Sequence, residues 1–226
     1  MGRPDHAALA LAAQDALGLS ALPELAAGRR VLQAVQGRAV ERVQINDRPV
    51  ALKWRDDRPQ DREALLYRGL LLRVHRALGA PELLGATGIS GTHFLFLAWV
   101  EGVPADWSDP ADVRLAFGHL GRVHMLTGRL IADSPEALAT AEAWAELVSG
   151  GPATARDVGE FLVLDRGGLH ADNFLLREGR GVCLLDFEYM VVRPRGQTRH
   201  QLRDDASMAQ GPLGELALSG YWAAAR

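Results

Sequence analysis

The chain has 226 residues, 48% of them apolar, and a formal charge of −3 at pH 7. That length is enough for one large domain or two small lobes with an ample core, and the charge balance argues against a nucleic-acid surface or a polybasic membrane patch. Cys183 is the single cysteine, which excludes an internal disulfide, and no apolar run approaches the ~18 residues of a membrane span. Asp15 interrupts the alanine-rich N-terminus, which lacks a signal core, so a cytoplasmic location is expected.

In chain order, residues 5–20 read as a helix opened by Asp5 as N-cap, with Pro23 and Gly28 as breaks after it. Three β-type runs follow: Val31–Val35, Ala39–Ile45 and Pro49–Trp54. Asn46-Asp47-Arg48 is a hairpin turn between the last two, and Gly37 and Arg38 lie at the turn between the first two. Gln60–Leu78 is a helix with Leu65, Leu66, Leu70, Leu71 and Val74 along one stripe; Gly79 ends it and Pro81 prevents its continuation. Leu83–Ala86 and His93–Val100 read as strands.

The chain is expected to divide near Gly102-Val103-Pro104, into parts covering 1–101 and 102–226. Helices at Pro110–Leu126 and Pro135–Ser149 follow, the second stopped by Gly150-Gly151-Pro152. Phe161–Leu164 and Val182–Leu185 are short apolar runs of strand type, with a tight turn at Arg177–Gly181. Tyr189–Gln201 reads as a basic loop, and Leu213–Ala224 as a closing helix. Cys183, in an apolar strand, is expected to be a buried and inert thiol.

Two features carry chemistry. Of the 25 basic residues, 24 are arginine and one, Lys53, is lysine. Where Arg serves for every ordinary positive charge, a surviving Lys marks a place needing a compact point charge on a flexible stem. Asn173 and Asp186 then bring an amide oxygen and a carboxylate to neighbouring strand ends. Those are hard ligands suited to Mg²⁺, which keeps several waters and leans on substrate phosphates.

The segment Gly168-Leu-His-Ala-Asp-Asn173, followed by Leu184-Leu-Asp-Phe-Glu188, resembles the catalytic and metal-binding loops of the aminoglycoside phosphotransferase and choline kinase group. In that group the region usually reads H-G-D-x-H-x-x-N, then I-D-F-E. The resemblance implies an α+β, two-lobed protein-kinase-like fold, with a small antiparallel-sheet N-lobe and a mainly helical C-lobe. It implies ATP and Mg²⁺ as cofactors, with Asn173 and Asp186 on the metal-ligand positions. Lys53, in Ala51-Leu-Lys53-Trp, falls on the lysine that pairs with the α- and β-phosphates, and Glu63 on the glutamate that holds it. A carboxylate so early in a helix also favours the helix dipole on its own account. Gly37 and Arg38 fall on the phosphate-covering loop, which has one glycine here instead of three and is otherwise an ordinary hairpin turn. Phe94–Gly102 resembles the adenine-holding hinge, with backbone contacts from Ala98 and Val100 and with Leu97 lining the pocket. His124, in Leu120-Gly-Arg-Val-His124, matches a position that is more often structural than chemical, and Asp204-Asp-Ala-Ser-Met208 resembles a buttress for the catalytic loop.

The departure lies at the base: Gly168 occupies the position of the catalytic Asp, and Arg166 that of the preceding His. Phosphoryl transfer relies mostly on positioning and electrostatics, whereas a general base contributes about 10²–10⁴-fold. A slow enzyme can therefore survive the loss. Asp165 is the first substitute to test; His170 and Asp172 are commonplace in the group beside its Asp. The expected partners are a nucleotide and an acceptor, small molecule or protein, with no nucleic acid and no membrane. Two functions compete: a phosphotransferase acting on a hydroxyl with altered base chemistry, and a pseudokinase serving as nucleotide sensor or interaction module. A ligand-free scaffold is the third reading, and Lys53, Asn173 and Asp186 in order speak against it.

Overall fold

The computed structural model describes residues 3–25, 29–35, 37–56, 62–149, 162–166, 170–179, 181–187, 190–194 and 212–224. The chain divides into two compact units, one of residues 1–64 with 81–100, the other of 65–80 with 101–226.

The first unit is a five-stranded antiparallel sheet with one helix. Strands β1 (Arg30–Val35), β2 (Arg38–Ile45), β3 (Arg48–Arg55), β4 (Leu83–Ile89) and β5 (Thr92–Ala98) take the order β1-β2-β3-β5-β4. The expected hairpin between β2 and β3 forms, with Asn46 and Asp47 both at positive φ, 47° and 61°. Such a pair matches the twist of the flanking strands, and Asn and Asp tolerate it. Because side chains alternate along a strand, β2 and β3 have two distinct faces. Ala39, Val43 and Ile45, with Val50, Leu52 and Trp54, point to the face that meets α1 (His6–Leu17) through Leu9, Ala12 and Ala13. Asp5 caps α1 by accepting the Ala8 amide at 2.8 Å, and Gly18 closes it in the left-handed region at φ 61°. The helix lies so close to β4 that a Cβ on Gly85 would overlap the Ala16 carbonyl oxygen.

In the second unit the expected helix after Asp61 is present but not uniform. It runs as α2 (Arg62–Leu66), widens into a π-helical stretch at Tyr67–Leu71, and continues as α3 (Leu72–Leu78). Its first three residues cluster with the sheet and the remainder with the second unit. Gly79 ends α3 at φ 61° as expected. The long helix α4 (Pro110–Asp133) packs against α6 (Pro212–Ala224) through Val113, Phe117, Leu120, Ala217 and Tyr221. Between them in sequence lies α5 (Pro135–Ser149).

Two strand assignments are corrected here. Within the stretch read as a basic loop, Met190–Pro194 is a strand (β10), paired antiparallel with β7 (Leu162–Arg166). The run Val182–Leu185 pairs with a strand not foreseen, β8 (Phe174–Arg177), as β9 (Gly181–Leu184), and β8 also takes the short β6 (Val103–Pro104) on its other edge. β7 overlaps the apolar run Phe161–Leu164 read as a strand, whereas β10 is a strand only by pairing with β7 across a long stretch of sequence. That pairing leaves no local pattern to read.

Candidate functional site

The sheet places Lys53 on the face opposite α1. Val40, Lys53 and Leu95 form one cross-strand row, and Arg42, Ala51 and Leu97 the next. Lys53 Nζ donates to both Glu63 oxygens, at 2.7 and 3.0 Å. Glu63 is almost wholly buried, while the Lys53 side chain keeps 17% of its surface exposed. The lysine is thus held by a buried carboxylate and still reaches solvent. The lone lysine and the helix carboxylate were both foreseen, and the structure brings them together.

Gly37 takes φ 76°, where only glycine is at ease, and its carbonyl accepts the Asp56 amide at 2.8 Å. Arg38 opens β2 directly across from Arg55, on the Lys53 face. Leu97 is buried, 5% exposed, on that same face. The Ala98 amide donates to the Glu82 carbonyl at 2.8 Å. Val100 follows the end of β5 and is half-buried.

In the second unit, Asn173 and Asp186 flank the open end of the β8–β9 hairpin. Phe174 faces Leu184 in the ladder, and just beyond it the Leu185 amide donates to the Asn173 carbonyl at 2.7 Å. Asn173 ends a 3₁₀ turn, Ala171–Asn173, and its own amide donates to the His170 carbonyl at 3.0 Å. Asp186 sits in the left-handed region at φ 59°, which Asp, like Asn, tolerates better than most side chains. Both are half-buried, and each is followed by a wholly buried phenylalanine. Phe174 packs on Trp107 at 5.6 Å between ring centroids, and Phe187 meets Tyr67 edge-on at 5.6 Å. These anchors hold the two oxygen donors where the hairpin puts them.

The donor set fits Mg²⁺. It is all hard oxygen, it carries one carboxylate, and it leaves most of an octahedron to water and phosphate. Among the described residues no group of three or more His, Cys, Asp and Glu side chains could hold a metal by itself.

The base region is less completely described. Asp165 lies in β7 opposite Val191. Gly168 and the Asp204–Met208 segment lie outside the described residues. His170 is exposed and precedes the 3₁₀ turn.

Several influential residues escaped the sequence reading. Glu41 is fully buried on the α1 face and is held by Arg3 at 2.5 Å, Arg29 at 2.8 Å and Trp54 Nε1 at 2.7 Å. Burial opposes its charge, yet hydrogen bonds from Arg3, Arg29 and Trp54 bring its pKa down to about 2. A signal existed: the alternation in β2 points Glu41 inward among Ala39, Val43 and Ile45, which demands a cation. His119 is buried in α4, and burial with the nearby Arg122 lowers its pKa to about 4. His124 donates to or accepts from the Tyr221 hydroxyl at 2.7 Å, in keeping with a structural role. Cys183 is buried, and burial raises its thiol to about 12, so it is inert as expected.

No family model matches the chain, and no curated protein matches its sequence. Solved structures do match its fold. The macrolide 2'-phosphotransferase of Brachybacterium faecium matches with a TM-score of 0.56 at 18% identity, over 89% of this chain and 79% of that one. A type I macrolide 2'-phosphotransferase matches with a TM-score of 0.61 at 11% identity, over 99% and 84%. An aminoglycoside-3'-phosphotransferase of type VIII matches with a TM-score of 0.55 at 18% identity, over 92% and 90%. At these identities the likeness establishes the fold. The chain has the α+β, protein-kinase-like fold of these phosphotransferases, with an antiparallel sheet in its N-terminal part and helices in its C-terminal part.

Proposed function

We propose that this protein is a phosphotransferase that uses ATP and Mg²⁺ to phosphorylate a hydroxyl acceptor, with an altered base position. The observation that carries this reading is the Lys53–Glu63 ion pair at 2.7 Å. A scaffold has no use for a lone lysine fixed against a buried carboxylate and still open to solvent; a phosphate-binding site does. In this reading Lys53 holds the α- and β-phosphates, with Gly37 and Arg38 covering them. Leu97, the Ala98 carbonyl and Val100 receive the base. Asn173 and Asp186 would hold Mg²⁺, which when bound supplies charge neutralisation at the phosphates. Asp165 is the residue to test for accepting the acceptor's proton, with His170 as the second choice. The fold neighbours act on macrolides and aminoglycosides, which suggests a hydroxylated small molecule as acceptor here.

The test is thermal. Millimolar ATP with Mg²⁺ raises the melting temperature by mass action, and Asp186→Ala removes the Mg²⁺-dependent share of the rise. An unchanged melting temperature in the parent protein sinks the reading.

Gly168 favours a second reading, a pseudokinase that binds nucleotide and acts as a regulatory or interaction module. Gly168→Asp separates the two. In a competent enzyme, restoring the carboxylate raises ATP turnover by about 10²-fold or more. A pseudokinase folds normally and stays silent.

A further inference from the structure

The helix that carries Glu63 changes its winding on the way to α3, and nothing in the proposed chemistry uses that change. Leu66 and Leu72, at the two ends of the π-helical stretch, both have right-handed helical backbone, so α2, Tyr67–Leu71 and α3 form one continuous rod. Within it the Leu72 amide donates to the Tyr67 carbonyl, five residues back instead of the four of an α-helix. That step takes in one residue more than an α turn does. One residue is about 100° of turn and about 1.5 Å of rise. Measured from α3, the π stretch therefore turns Glu63 by about 100° from where an unbroken α-helix would aim it. A carboxylate bonded to Lys53 at 2.7 and 3.0 Å does not survive such a turn.

The middle residue of the stretch explains why the winding stays there. α5 packs on the stretch, and the Gly69 backbone approaches so closely that a Cβ at this position would overlap Oγ1, Cγ2 and Cβ of Thr140. The threonine has little room to yield. Its hydroxyl donates to the Glu136 carbonyl at 2.9 Å, one turn back in α5, which fixes its rotamer. We infer that Gly69 is a positioning residue for Lys53: by seating the π stretch on Thr140 it sets the bearing of Glu63 about the helix axis, and through Glu63 the hold on the lysine. The inference rests on the phosphate-site reading of Lys53 and deepens it by naming what aims the lysine's carboxylate.

Lys53 is the chain's only lysine, so an amine-acylating probe reads it without ambiguity, with the N-terminal amine as internal reference. An amine has to leave its carboxylate before it is acylated. In Gly69→Ala, acetylation of Lys53 by N-acetoxysuccinimide, followed by peptide mass, quickens about tenfold, the equivalent of one charged hydrogen bond. The Mg²⁺·ATP dissociation constant rises by a similar factor. Gly69→Ala combined with Thr140→Gly vacates the space that the new methyl group needs, and returns both quantities towards the parent values. Thr140→Ile presses the same seam from the α5 side with Gly69 intact. It acts in the same direction, and it carries the test if Gly69→Ala does not fold. An unchanged labelling rate in the folded single variants overturns the inference, as does a faster rate that the double variant fails to restore. Labelling needs no nucleotide. A parent that binds no Mg²⁺·ATP therefore overturns the nucleotide reading, while the labelling rates still decide whether Gly69 aims Glu63.

Discussion

Among the described residues, a buried carboxylate lies on each face of the five-stranded sheet, and the two are held differently. On the α1 face, Glu41 is fully enclosed and both of its oxygens are taken, by Arg3, Arg29 and Trp54. On the other face Glu63 holds Lys53, which stays partly open to solvent. Two adjacent residues of β3, Lys53 and Trp54, serve the two carboxylates from opposite sides. A closed cluster contributes stability and has nothing left over for a ligand. An open pair contributes less to stability and keeps a charge in reach. Enclosure, more than the presence of a salt bridge, distinguishes the two carboxylates.

Breaking the closed cluster gives the largest expected effect. Glu41→Ala leaves Arg3, Arg29 and the Trp54 indole without their shared acceptor, and costs about 3–5 kcal/mol in urea-induced unfolding. A loss below ~1 kcal/mol would show the cluster to be ornamental.

Acid sharpens the same point. The Glu41 carboxyl titrates near 4.5 when unfolded and at about 2 in the fold, so the unfolded chain takes up the proton first as pH falls. Its contribution is whole above pH 4.5, is lost as pH falls towards 2, and amounts to about 3 kcal/mol. His119 acts in the same direction over a higher range, since its ordinary 6.5 drops to about 4 in the fold. Measured stability should therefore decline in two stages on acidification, and Glu41→Gln should erase the lower one. A single stage that survives Glu41→Gln would contradict the assignment.

Asp5 tests how far α1 depends on its own cap apart from the Glu41 cluster. Asp5→Ala removes the bond to the Ala8 amide and should cost about 1 kcal/mol by thermal melting. A cost as large as that of Glu41→Ala would mean the cap and the cluster act as one unit.

The open pair should show the smallest change in stability and a clear one in binding. Lys53→Arg keeps the charge, and a merely solvated lysine would tolerate it within ~0.5 kcal/mol. The wider guanidinium cannot sit between Glu63 and a phosphate as an ammonium does, so ATP affinity should fall. Equal ATP affinity in the two proteins would leave the lysine without its proposed task.

Much of this molecule was legible beforehand where the cause is local. The Asp5 cap, the Asn46-Asp47 turn and the Gly79 stop each depend on a few adjacent residues, and each formed where expected. Lys53 stood out through composition, because a chain so biased to arginine makes its one lysine conspicuous. Features with distant causes were not legible. Phe174–Arg177 and Met190–Pro194 have no alternation of their own and are strands only through their partners. The π-helical stretch at Tyr67–Leu71 changes the hydrogen-bond step of the helix while preserving an apolar stripe, so periodicity passes over it. The seat of Gly69 on Thr140 needed the packing of two helices, which only the fold supplies.

The hairpin that carries Asn173 and Asp186 has a consequence for how this site can change over generations. Its ladder is β8 with β9, locked by Phe174 and Phe187, whereas Asp165 belongs to the separate pair of β7 with β10. Mutations that alter proton chemistry on the second pair need not disturb the oxygen donors on the first. The hairpin's oxygen donors and the strand that carries Asp165 are thus separately heritable parts.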